Sequence, residues 1–128
     1  MSEVVLDASA ILASILEEPG HEILTQELLA SAASSAVNVA EVQAKLVMLG
    51  WPSEEAWEDA TSMLDRVIPF DEVHARIAGD LISQTRPLGL SLGDRSCLAL
   101  ALALNSPVYT AERIWARLKL QVPIHVIR

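Results

Sequence analysis

The sequence has one cysteine, nine lysines and arginines against seventeen acids, and no long apolar run. With Cys97 alone no intrachain disulfide can form, so the chain is not a disulfide-stapled scaffold, and a reducing cytoplasm suits it. Cys97 lies inside an apolar helical stretch and is read as packing. The longest apolar run, "CLALALAL" at 97–104, is far too short to cross a bilayer, so no membrane association is expected. Glu3 and the lack of a basic segment near the start give no expectation of a secretory signal. A formal net charge of −8 argues against binding nucleic acid by bulk electrostatics. It leaves open an enzyme that meets phosphates through bound cations, and it suits a basic protein partner. No P-loop, glycine-rich dinucleotide turn or nucleophile elbow is present. His21 opens a helix, His74 lies on an amphipathic one and His125 is in the last strand. Surface or core roles account for all three better than metal ligation.

What is present reads as a well-packed globule. Hydrophobic residues make up 52 % of the chain and charged residues 20 %, which excludes a disordered tail. The length suits one domain over 1–128. Short, apolar, largely β-branched stretches at 4–6, 34–37, 67–70, 107–109 and 123–128 read as strands. Between them the pattern predicts helices over 9–18, 21–32, 38–50, 53–66, 71–86, 91–105 and 110–120. Asp71 and Thr110 serve as N-caps, Ser91 begins a helix, and Pro19-Gly20 and Gly50 act as stops. Such alternation predicts an α/β fold, a three-layer sandwich whose parallel sheet is covered on both faces. The helix through 97–104, apolar on nearly every side, should be the most deeply buried.

Most of the acids lie on polar helix faces and read as solvated. Four do not. Asp7 ends the first strand, Glu41 sits one turn into the helix after the second, and Asp94 is in the first turn of the most apolar helix. Glu112 is in the first turn after the strand "PVY". All four lie near a strand-to-helix passage or a helix start, and in a parallel sheet those passages gather along the carboxyl edge, where ligands bind. Helix capping is a sufficient account of each one singly: Asn38-x-x-Glu41 and Ser91-x-x-Asp94 resemble capping boxes, and Glu112 follows Thr110. Capping does not account for four acids converging on one place. Clustered carboxylates repel unless a cation joins them. A site of carboxylates without histidine or cysteine is hard-oxygen chemistry, which selects Mg²⁺ or Mn²⁺.

Four stretches in register, "VVLDASAILA", "SAVNVAEVQAKL", "LGLSLGDRSCLALA" and "VYTAERIWARL", resemble the PIN-domain family, and in particular its VapC-like toxin branch. The resemblance extends over essentially the whole chain, including "VIPFD" and the final "IR". It implies a five-stranded parallel sheet between helices and a metal-dependent endoribonuclease, the toxin of a type II toxin–antitoxin pair. It also implies an RNA substrate, a homodimer, and a small DNA-binding antitoxin as partner. The family's acidic quartet falls on Asp7, Glu41, Asp94 and Glu112, and its flanking hydroxyls on Ser9 and Thr110. The last motif departs from the family's Thr-Ala-Asp-Arg: Glu112 carries its charge about one methylene further, which loosens the hold expected on a second metal.

Phosphodiester hydrolysis needs an activated water, neutralised phosphoryl oxygens and support for the leaving 3′ oxygen, which paired divalent ions can supply. Asp7 and Asp94 are assigned to the principal metal, Glu41 to completing its shell or orienting the water, and Glu112 to a second ion. Arg86, Arg95 and Arg113 are candidate RNA-phosphate contacts, with salt bridges to neighbouring carboxylates the competing use of Arg95 and Arg113. Trp115 is read as core, and Trp51 and Trp57 as packing near Pro52. A receiver domain would want an acidic pair ahead of its aspartate, and a haloacid-type phosphatase an acid at position 9, where Ser9 stands. The alternative that remains is a PIN-like module that binds RNA or protein without cutting.

Overall fold

The structure is a computed structural model that describes residues 3–128; residues 1 and 2, the head of the domain expected over 1–128, lie outside the described residues. The centre is β1 (Val4–Leu6), three apolar residues buried on both sides. Side chains alternate across a strand, so Val4 and Leu6 enter one hydrophobic core and Val5 the other. Beside it lie β2 (Ala32–Ser35), β3 (Arg66–Ile68), β4 (Val108–Thr110) and β5 (Ile124–Val126). The sheet runs β3-β2-β1-β4-β5, and every neighbouring pair is parallel. Parallel neighbours need crossovers, and right-handed crossovers place helices on both faces. On the face of Val4 and Leu6 pack α1 (Ala8–Leu16), α3 (Ala36–Met48) and α4 (Ser53–Ser62). The face of Val5 is covered by α7 (Leu92–Leu104), with α5 (Glu72–Asp80) packed against that helix. Two short helices, α2 (Gln26–Leu29) and α6 (Ile82–Thr85), bring the described residues to seven α-helices. No helix among the described residues is long and apolar enough to cross a membrane.

Helix α7 buries six successive residues from Ser96 to Ala101, as its all-round apolar pattern predicts. Cys97 is among them, and burial pushes its thiol well above the usual range, so it is inert packing. Trp115 is fully buried in the same core. Trp57, by contrast, is about half exposed.

The helix expected over 71–86 is divided into α5, α6 and a 3₁₀ turn (Arg86–Leu88), and three further departures from the sequence reading have causes in named side-chain bonds. The second strand lies two residues earlier than 34–37, and its small residues carry no β-branched signal. Ser34 Oγ donates to Leu6 O at 2.8 Å, and Ser35 Oγ caps α3 by accepting from Val37 N at 3.2 Å. Asn38 is therefore inside α3 and not its cap. The helix expected over 21–32 is divided into a 3₁₀ turn (His21–Ile23) and α2, because Thr25 caps a new start through Leu28 N. The helix expected over 110–120 is a 3₁₀ turn (Arg113–Arg117). There Ala111 N donates to Ser9 Oγ, a tertiary bond, and Glu112 N to Thr110 Oγ1, a local one, and together they fix a different path.

Candidate active site

The carboxyl ends of β1, β2 and β4 open onto one cavity of about 220 Å³. Asp7, Glu41, Asp94 and Glu112 all line it, with Ala8, Ser9, Leu12 and Lys45. The topology brings them together: Asp7 leaves β1, Glu41 sits on the helix that leaves β2, and Glu112 follows β4. Asp94 comes from the first turn of α7, which crosses beneath the sheet.

Asp7 is 2 % exposed and is the most densely bonded of the four. Its Oδ1 accepts from Ala10 N and from Ser9 Oγ, both at 2.8 Å. Its Oδ2 accepts from Thr110 Oγ1 at 2.6 Å and from Ser9 Oγ at 2.9 Å. Ser9 Oγ in turn accepts from Ala111 N at 2.8 Å, so two hydroxyls tie the exit of β1 to the exit of β4. Asp7 therefore does cap α1, and the same carboxylate faces the cavity. Burial raises its pKa from 3.8 to about 6, and the charge of Asp94 adds to the rise. The bonds from Thr110, Ala10 and Ser9 hold the shift down.

Asp94 forms the capping box that the sequence suggests: Ser91 N donates to Oδ2 at 2.8 Å and Asp94 N to Ser91 Oγ at 3.2 Å. Only one of its oxygens is used in this way. Glu41 is held differently. Its Oε1 accepts from Asn38 Nδ2 at 2.9 Å, and its carboxylate lies against Gly93, where a Cβ would collide with all three carboxyl atoms. Glu112 is exposed at the cavity mouth, as Glu41 is.

Among the described residues no three acidic, histidine or cysteine side chains are drawn into a tight ligand set. Each acid except Glu112 is instead held by donors of its own neighbourhood. The donor chemistry fits a hard divalent cation: four carboxylates and a hydroxyl, with one carboxylate buried where an ionised form is costly and a nearby cation would offset that cost.

The three arginines lie elsewhere. Arg95 Nη1 donates to Ala78 O at 3.0 Å, tying α7 to α5, and its buried Nε has no partner. Arg113 is exposed and its Nε donates to Arg128 O at 3.3 Å; Arg86, in the 3₁₀ turn after α6, is exposed too. The cation that does line the cavity is Lys45, which the sequence reading missed. Its signal was there: it stands four residues after Glu41 and so on the same face of α3. His74 is buried beside Phe70, and His125 stacks on Tyr109, so neither approaches the cavity.

A family model described as PIN domain matches residues 4–120. None of the curated proteins matches the sequence. Among solved structures, the DNA-bound VapBC of Salmonella typhimurium is similar at a TM-score of 0.76 and 16 % identity, over 100 % of both chains. VapBC2 of Rickettsia felis, bound to a promoter DNA fragment, gives 0.73 and 21 % over 98 % of each chain. FitAcB of Neisseria gonorrhoeae gives 0.67 and 21 %, over 95 % of this chain and 96 % of that one. At these identities the likeness is one of fold.

Proposed function

Because this chain belongs to the PIN domain family, we propose that it is a cytoplasmic, divalent-metal-dependent endoribonuclease, the toxin of a type II toxin–antitoxin pair. The observation that carries the reading is the convergence of Asp7, Glu41, Asp94 and Glu112, from four separate elements, on one cavity. The toxin role is supported by the company the fold keeps: the solved structures similar to it include VapBC complexes from several organisms. A small DNA-binding antitoxin is the proposed protein partner, a homodimer the proposed assembly, and the net charge of −8 suits a basic antitoxin segment over the acidic cleft.

When bound, Mg²⁺ or Mn²⁺ supplies charge neutralisation on the phosphoryl oxygens and a water of lowered pKa. The chain's own groups prepare that chemistry. Asp7 and Asp94 would hold the principal ion, Glu41 would hold it too or orient the attacking water, and Glu112 would hold a second ion more loosely. Ser9 and Thr110 keep Asp7 in one rotamer by donating to both of its oxygens. Arg113, exposed next to Glu112, and Arg86 are the proposed outer contacts for RNA phosphates; Arg95 enters the proposal only as a tie beneath Asp94.

The test is cleavage of total small RNA by the purified chain with Mg²⁺, against an EDTA control and Asp94→Asn. The substitution keeps the capping geometry, since an amide oxygen still accepts from Ser91 N, so stability should change by less than about 1 kcal/mol. Cleavage should fall more than about 100-fold, beyond what loss of an outer partner of a metal costs. Equal cleavage by both proteins, or cleavage that persists in EDTA, would remove the quartet from the mechanism. Specific RNA binding without any cleavage would favour the non-catalytic module.

A further inference from the structure

Helix α3 presents Glu41 and Lys45 one turn apart, with the acid N-terminal to the base, the order in which such pairs join on a helix surface. They do not join: no ion pair between them is found among the described residues, although both line the cavity. Glu41 is engaged from the opposite side instead. Asn38, only 1 % exposed, donates from Nδ2 to Glu41 Oε1 at 2.9 Å and to Gly93 O at 3.0 Å. Both amide hydrogens are thereby used. Turning the amide over would set its oxygen against a carboxylate and a carbonyl, so its orientation is determined. The position favours donation at the cost of acceptance, for Asn38 Oδ1 is buried with no partner. Gly93 completes the seat, because any larger residue there would occupy the space of the Glu41 carboxylate.

From this we infer that Asn38 and Gly93 are positioning residues: they hold Glu41 against α7, beside Asp94, and out of an internal ion pair with Lys45. Two consequences follow for the proposed nuclease, on which this inference rests. Glu41 stays available to the cation, and the Lys45 ammonium stays available to a phosphate of the bound RNA strand.

The experiment is Mn²⁺ binding by calorimetry, with RNA cleavage read separately, on wild type, Asn38→Ala, Lys45→Met and the double variant. In Asn38→Ala the freed Glu41 pairs with Lys45, and Mn²⁺ affinity falls about 10-fold, the usual cost of losing an outer partner of a metal ligand. Adding Lys45→Met removes the competitor and restores most of that affinity. A merely structural role for Asn38 gives no such rescue. Lys45→Met alone leaves Mn²⁺ affinity at or above the wild-type value and raises KM for RNA several-fold. Should Asn38→Ala fail to fold, Gly93→Ala makes the same test from the other side and lowers Mn²⁺ affinity. Unchanged affinity in a folded Asn38→Ala or Gly93→Ala, or a loss that Lys45→Met does not reverse, overturns the inference while leaving the nuclease reading intact. A wild type that binds no Mn²⁺ overturns both.

Discussion

Replacing Asp7 by asparagine is expected to abolish RNA cleavage and, at neutral pH, to raise the melting temperature. The two effects have one origin. Asp7 is buried, and burial lifts its pKa from 3.8 to about 6. Above pH 6 the folded protein carries an ionised carboxylate where its charge is poorly solvated, whereas the unfolded chain carries it in water. A raised folded pKa means stability that is fully present below pH 3.8 and is lost as pH rises through about 6. The loss at neutral pH amounts to about 3 kcal/mol if the whole shift is converted. Asparagine never ionises and escapes that loss.

Part of the gain is given back, because the amide presents one acceptor where the carboxylate presents two. Ala10 N keeps its bond to the remaining oxygen, while Thr110 Oγ1 and Ser9 Oγ must reorient. At about 1 kcal/mol for each such adjustment, the net gain is roughly 1 kcal/mol, or about 4 °C in a domain of this size. The difference between the two proteins should shrink as the pH is lowered and vanish or reverse near pH 4, where wild-type Asp7 is protonated as well. Thermal melts across this pH range, paired with a cleavage assay, check both halves. A variant that is both inactive and less stable at neutral pH would mean that Asp7 is chiefly a helix cap. One that still cleaves would remove it from the site altogether.

The same double role explains how much of this site was legible in the sequence. Asp7, Glu41, Asp94 and Glu112 could be found because strand ends in a parallel sheet converge, so that position in the pattern implies position in space. The architecture followed from the same alternation, since short apolar strands between amphipathic helices leave few other arrangements. Asn38 was visible only as a helix cap, because three residues before a glutamate is the spacing of a capping box. The bonds it makes to Glu41 and Gly93 needed the start of α3 at Ala36, which Ser35 sets and which small residues in β2 conceal. Gly93 shows nothing in sequence, for its meaning is a collision with a side chain from another helix. Lys45 was passed over for arginines adjacent to the site acids, yet neighbours in sequence point different ways on a helix. Arg95 is turned to Ala78 while Asp94 lines the cavity. The 3₁₀ path after Thr110 was hidden for the same reason: the bond that the Ser9 hydroxyl, far away in the chain, accepts from Ala111 N overrides a good helical pattern.

Divalent metal should stabilise the protein about twice as much at about pH 7.5 as at about pH 5, because proton and cation compete for Asp7. With a pKa of about 6, this carboxylate is almost wholly ionised at the higher pH. At the lower pH it is ionised in only about a tenth of molecules. A ligand at about 100 times its Kd stabilises by roughly 2.7 kcal/mol, which corresponds to about 10 °C here. A tenfold loss of apparent affinity at the lower pH halves that gain to about 1.4 kcal/mol. Melts with Mg²⁺ or Mn²⁺ against EDTA at the two pH values measure the difference, and Asp7→Asn should abolish most of the shift at both. Metal held loosely by surface acids would not follow the ionisation of Asp7. An equal shift at both therefore places the ions on the outside of the molecule. A shift that follows the ionisation of Asp7 places one where β1 ends, and makes the buried charge there the counterpart of a cation and not merely the cap of α1.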